Sequence, residues 1–269
     1  MSNTHARWAI VALCVSCAEP PPLLEPYEGP GGAVAPKATA AGFSAEADLD
    51  SPAGQLFTQA ETHFAANRFD AASTAYRQSI EHTPTLATRL NLGIALISMS
   101  DLASAARELS AGLALSRQRD DRVLTAAFLG NLGNAYANQN SLDQALTSFQ
   151  EALTIYQTVD QPTGIAASLG NIGMVYFLRS DLDSAHTALT TALATNRQVA
   201  YRRGEAQDLD RLGTIHILRG QLDSALTHYK EALAINQAIG YKRGQGRALG
   251  NIGNVRFERG QFDHALKSY

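Results

Sequence analysis

From Leu129 the chain reads LGNLGNAYANQNSLDQALTSFQEALTIY, and the same order of apolar, small and polar positions returns at even spacing from Leu169, Leu209 and Leu249. Two weaker copies lie upstream. Across the six copies one small residue recurs, at Ala60, Gly93, Gly133, Gly173, Gly213 and Gly253. Further on in each copy stands an alanine, at Ala72, Ala105, Ala145, Ala185, Ala225 and Ala265; the first step, from Ala72 to Ala105, is shorter than the others, which are equal. Leu132, Gly133 and Tyr136 share one face at helical spacing, which predicts a first helix in each copy. Asn140, Ser180, Gly220 and Gly260 break it. A second helix is predicted to begin near Asp143, Asp183, Asp223 and Asp263, where a carboxylate suits the positive helix N-terminus. Ala145 and Phe149 share an inner face of that helix, as do Ala225 and Tyr229. Gly164, Gly204 and Gly244 keep the same period and are expected at the helix–helix corners. A glycine inside a helix costs about 1 kcal/mol relative to alanine, so its recurrence predicts a close approach of helix backbones.

The order Leu132, Gly133, Tyr136, Ala145, Phe149, Ala152 resembles the tetratricopeptide repeat family, and the even step from Leu129 to Leu169 to Leu209 resembles its longer-spaced branch, found in kinesin light chains and in bacterial sensor and scaffold proteins. His216 and Arg256 stand where that pattern has Tyr. The resemblance covers residues 53–269, about six units with the last truncated at Tyr269. It implies an all-α fold, a right-handed superhelical solenoid of antiparallel helix pairs with a concave groove, in which neighbouring units bury a continuous core.

Residues 1–17 differ in kind. Arg7 supplies a positive start, Trp8 to Val15 a short apolar run, and Ser16 precedes Cys17. This is the layout of a secretory signal, and it resembles a bacterial lipoprotein signal with Cys17 as the lipidated residue. Cys14 occupies the place where that pattern has an aliphatic residue, so cleavage after Ala18 is the alternative. Residues 18–52 form a linker. Its Pro20, Pro21, Pro22, Pro26, Pro30 and Pro36, with Gly29, Gly31, Gly32 and Gly42, predict an extended or disordered tether. The expectation is an exported chain of the cell envelope, anchored to a membrane by lipid.

Composition removes several classes of function. No apolar run reaches the roughly 18–20 residues that span a bilayer. Cys14 and Cys17 are the only cysteines, so the body has neither a disulfide scaffold nor a thiolate metal site. The seven histidines show no ligand spacing, and neither a nucleophile elbow nor a phosphate loop occurs. Gly244-Gln245-Gly246 opens a helix with no preceding strand, so it is not a nucleotide fingerprint. No cofactor and no enzymatic activity are expected. The net charge of −3 gives no pull toward nucleic acid.

What remains is recognition. Positions two before and one after the recurrent glycine point about 100–160° away from it, and the resemblance places that side on the groove. Asn91, Asn131, Asn171 and Asn251 occupy it, with Arg211 in the same series, joined by Asn134 and Asn254. A carboxamide both donates and accepts. Asn131, Asn134, Asn171, Arg211, Asn251 and Asn254 therefore either bind a peptide backbone or bridge adjacent helices. Phe177, Leu178, Ile217, Leu218 and Phe257 lie beside them as inter-repeat core or groove floor. Charge is uneven: residues 45–196 hold 8 Lys/Arg and 15 Asp/Glu, residues 197–269 hold 12 and 7. The basic end suits an acidic protein segment, and an uncovered C-terminal end would favour self-association. The expectation is a non-catalytic scaffold that binds a segment or helix of another protein. The alternatives are the sensor half of a larger signalling enzyme and a soluble peptide receptor.

Overall fold

The computed structural model describes residues 28–29, 33–34, 46–266 and 268. Cys17 and the signal-like segment lie outside the described residues, and so does most of the linker. Within the linker, β1 (Glu28–Gly29) pairs antiparallel with β2 (Ala33–Val34). Everything else regular among the described residues is helical. The helices are α1 (Pro52–Ala65), α2 (Phe69–His82), α3 (Leu86–Ser98), α4 (Leu102–Gln118), α5 (Arg122–Asn138) and α6 (Leu142–Thr158). They continue as α7 (Pro162–Leu178), α8 (Leu182–Gln198), α9 (Arg202–Leu218), α10 (Leu222–Ala238), α11 (Lys242–Glu258) and α12 (Phe262–Leu266). Consecutive helices pack as pairs, so the fold class is the expected all-α one. The contacts divide the chain into two compact units, Pro26–Asn171 and Ile172–Tyr269.

The helix ends follow from local chemistry. Ser51, Thr85, Asp101, Asp121 and Asp181 are N-caps whose side-chain oxygens accept a backbone N–H from the first turn. The bonds from Ser104 and Ser184 hold the Asp101 and Asp181 carboxyls below the usual range. Asp143, Asp183, Asp223 and Asp263 fall in first turns as predicted. Asp183 and Asp223 have a second use, pairing with Arg219 and Arg259 at the end of the next first helix.

From α3 to α11 each helix stops in a left-handed residue. Asn140, Ser180, Gly220 and Gly260 have positive φ, and so do Asp160, Ala200 and Gly240, so the chain reverses at even intervals along this stretch. At Ala200 the N–H bonds Arg197 O and the next N–H, of Tyr201, bonds Asn196 O, which satisfies the last carbonyls of α8. The corner expectation for Gly164, Gly204 and Gly244 is therefore corrected. The corners are Asp160, Ala200 and Gly240, and the three glycines lie in the first turn of the following helix. They are small because a Cβ there would meet the Tyr156 ring, or Tyr201 with Asn196, or Tyr241 with Asn236, within 2.7 Å.

In residues 26–171 one core runs from Phe57 and Tyr76 through Leu90, Leu109 and Phe128 to Tyr156. A Cβ on Gly93 would lie 2.4 Å from Leu109, and one on Gly133 2.6 Å from the Phe149 ring, so the recurrent glycines admit the large residue of the second helix. Ala47 and Leu49 pack on this core, and the Glu46 carboxylate accepts the Leu86 N–H at 2.9 and 3.1 Å while pairing with Arg119. An anion there satisfies an otherwise unbonded N–H at the start of α3. The packed body thus includes residues 46–51, which the sequence assigns to the linker.

In residues 172–269, Leu189, Leu209, Leu212, Ile215 and Ile235 form one cluster and Tyr229, Ile252 and Val255 another. Gly173 faces Leu189 and Gly213 faces Tyr229. The recurrent alanines are closed off in both units, from Ala60 and Ala72 to Ala225 and Ala265. Phe177 and Ile217 pack against the clusters as core. Phe257 is exposed and stacks edge-on against Phe262 at 5.3 Å. No helix among the described residues is long and apolar enough to cross a membrane.

Candidate peptide-binding site

The polar ladder behaves differently in the two units. In Pro26–Asn171 its amides are buried. Asn91 donates to Glu61 at 3.0 Å, and Tyr76 donates to the same carboxylate. Burial first, and Glu61 second, push the Tyr76 phenol far up. Asn131 donates to Ala127 O of its own helix at 2.9 Å, and its Oδ1 has no partner among the described residues. Asn171 donates to Asn134 Oδ1 at 3.5 Å, joining α7 to α5. Asn131 and Asn134 are at most 1% exposed, so their amides do not reach solvent. At Asn134 and Asn171 the bridging arrangement is the one present.

In Ile172–Tyr269 the ladder positions are half-exposed: Arg211 on α9, and Asn251 and Asn254 on α11. On α9, with Arg211, stand three buried carboxylates that the sequence reading passed over. Asp208 accepts from Asn196 at 2.8 Å and lies 3.6 Å from Arg211. Burial pushes the Asp208 carboxyl up to about 7, against the pull of Arg211 and the Asn196 bond. Asp210 accepts from Arg247 at 2.9 Å, linking α9 to α11. Glu205 accepts from Arg197 at 2.9 Å and from Arg202 at 2.5 Å. A signal for these residues was available. Where α9 has Asp208 and Asp210, the aligned copies read Ser168 and Gly170, then Ala248 and Gly250.

These contacts engage much of the basic excess. Arg202, Arg211, Arg247 and Arg259 pair with carboxylates, and Arg203 lies 4.0 Å over the Tyr241 ring. No group of three or more His, Cys, Asp or Glu side chains among the described residues is arranged to hold a metal ion. The arrangement offers polar and charged groups for binding along α9 and α11.

None of the curated proteins compared with the chain matches it in sequence. Solved structures do resemble it. BtubC (BKLC) from P. vanneervenii is 17% identical, with a TM-score of 0.60 over 83% of this chain and 89% of that one. The apo form of RapI is 14% identical, with a TM-score of 0.62 over 81% and 94%. The Rap conjugation gene regulator of plasmid pLS20, solved with the Phr* peptide, is 14% identical, with a TM-score of 0.67 over 80% of this chain and 61% of that one. At such identities the likeness is one of fold. A family model, the tetratricopeptide repeat, matches residues 84–158, 124–198 and 205–269. Since those stretches take in more than half of the sequence and coincide with the helix pairs, the chain belongs to the tetratricopeptide repeat family.

Proposed function

We propose that this chain is a non-catalytic scaffold of the bacterial cell envelope that binds a segment or helix of another protein. The observation that carries the reading is the half-exposed polar strip of Arg211, Asn251 and Asn254 on the first helices of residues 172–269. There the ladder reaches solvent, whereas Asn131 and Asn134 are enclosed. Carboxamides beside a guanidinium suit a peptide backbone carrying an acidic side chain. The excess of 12 Lys/Arg over 7 Asp/Glu in residues 197–269 favours approach of such a segment. The Rap regulator's structure with Phr* is a precedent for peptide binding on this fold. Tethering through Cys17 belongs to the same proposal and is supported by the Arg7, apolar run and Ser16–Cys17 order.

The test is cross-linked capture of partners from envelope preparations by the full chain, followed by titration of an identified acidic peptide. Changing Asn251 and Asn254 together to alanine, with Arg211 kept because it faces the buried Asp208, should weaken binding by about tenfold, the scale for losing two hydrogen bonds, with helicity and melting near wild type. Equal binding by the variant would remove this strip from the site.

A further inference from the structure

Three histidines far apart in the sequence meet in residues 172–269. His186 on α8 and His216 on α9 have ring centroids 5.7 Å apart at 82°, and His216 and His228 on α10 have centroids 4.9 Å apart at 36°. All three rings are half-buried. One copy earlier the same three register positions read Leu146, Tyr176 and Ala188, and one before that Ala106, Tyr136 and Ser148; one copy later they read Leu226, Arg256 and Ser268. Elsewhere, then, this junction of one second helix with the next pair is apolar, aromatic or small, apart from Arg256. Here each helix contributes an imidazole.

The protonation chemistry of the stack is defined by its hydrogen bonds. His228 Nδ1 lies 2.8 Å from the Ser224 carbonyl and His216 Nδ1 lies 2.5 Å from Gln221 Oε1. Both oxygens are acceptors, so in the neutral rings Nδ1 carries the proton and Nε2 is the basic atom. Uptake of a proton at Nε2 makes each ring a full cation beside its neighbour. The other charged groups facing His186 are Arg219 on α9 and Asp183 on α8, which pair with each other. Arg219 further donates to Leu182 O at 3.1 Å, so a fixed cation already borders the stack.

We propose that the His186–His216–His228 stack is an acid-sensitive joint: proton uptake loosens α9 from α8 and α10. Geometry and charge act together. Burial first, then Arg219, His216 and His228, hold His186 below the ordinary histidine range, with Asp183 opposing. A base held neutral in the folded state contributes stability that is complete above its unfolded value, near 6.5, and is lost as the pH falls from there through its lower folded value. The rings meet through their faces and edges, an arrangement that two imidazolium ions disfavour.

Amide hydrogen exchange of the full chain carrying Asp208→Asn, which removes the opposing titration of the buried Asp208 on α9, tests the joint at pH 7.5 and 5.5, with a chelator present, α5 amides as internal reference and intrinsic rates corrected. Protection of α9 relative to α5 should fall on acidification by at least about fourfold, which is the repulsion of two unit charges about 5 Å apart in water. His216→Tyr places there the residue found at Tyr136 and Tyr176 and should reduce the fall; His228→Ala, matching Ala188, should do the same. Unchanged α9 protection of the Asp208→Asn chain at pH 5.5, or an equal fall when either histidine change is added, would overturn the proposal. Imidazole proton shifts followed by NMR give a second reading on the native fold. In His228→Ala, His186 should titrate at a higher pH than in the wild type, and an identical titration would also overturn it.

Discussion

Asn196 donates to the buried carboxylate of Asp208 at 2.8 Å, closing the corner between α8 and α9. One repeat later Asn236 occupies the place of Asn196, but the place of Asp208 is taken by Ala248. Asn236 is 1% exposed and both of its amide atoms lack a partner among the described residues. The two corners share a backbone, but the Asn196 amide keeps its bond to Asp208, with only Oδ1 lacking a partner among the described residues, while the Asn236 amide keeps none. A buried polar group without a partner costs about 1–3 kcal/mol. Asn236→Leu should therefore stabilise the chain by about 1 kcal/mol, since it removes that cost at similar volume. Asn196→Leu should destabilise by about 1–3 kcal/mol, because it strands Asp208. Urea unfolding of both variants checks the pair, and the same sign for both would show that the two corners do not differ as described.

Asp208 also gives the fold a pH dependence of its own. Its carboxyl is raised to about 7 from an ordinary value of 3.8, so the folded state holds this proton more tightly than the unfolded chain. The stability it contributes is complete below its unfolded value and is lost as the pH rises through about 7. Relative to Asp208→Asn, the wild type should lose up to about 1.4 kcal/mol per pH unit between about pH 5 and 7. Denaturant midpoints measured across that range would show parallel curves if Asp208 were ionised throughout. This trend opposes that of His186, so the two are separable by variant.

Ala200 has a φ of 56° at the end of α8, whereas Gly240 meets the same geometry, at 71°, after α10. The left-handed region costs an L-residue about 1–2 kcal/mol. Ala200→Gly should raise stability by about 1 kcal/mol, and Gly240→Ala should lower it by a similar amount. Thermal melts of the two variants moving in the same direction would contradict the reversal.

Gly130 and Gly133 lie close together on α5 and answer to different forces. A Cβ at Gly133 would meet the Phe149 ring at 2.6 Å, while a Cβ at Gly130 meets nothing within 4 Å. Gly133→Ala should cost about 1–3 kcal/mol through overpacking. Gly130→Ala should gain up to about 1 kcal/mol from helix propensity alone. Chemical denaturation distinguishes the two in one experiment.

The sequence by itself determined the repeat, the helix pairs and the inner positions. Gly133, Ala145 and Phe149 recur because neighbouring helices meet at the same places in every copy, and a period written several times over is read without knowing any contact. The corners were legible to within a few residues. Ala200 carries no local signal for the left-handed region, and Asp160, of a type that does visit it, is overshadowed by the periodic glycines nearby, which are small for packing. Tertiary structure alone decided which polar residues are reachable. Asn131 and Asn251 occupy the same register, but one is enclosed and the other half-exposed. Burial is a sum over neighbouring side chains, and no single position carries it. The same holds for Asp208 and for the three histidines. Their separations along the chain mean nothing until helices return past one another and bring Asn196 to Asp208, and His186 to His216 and His228.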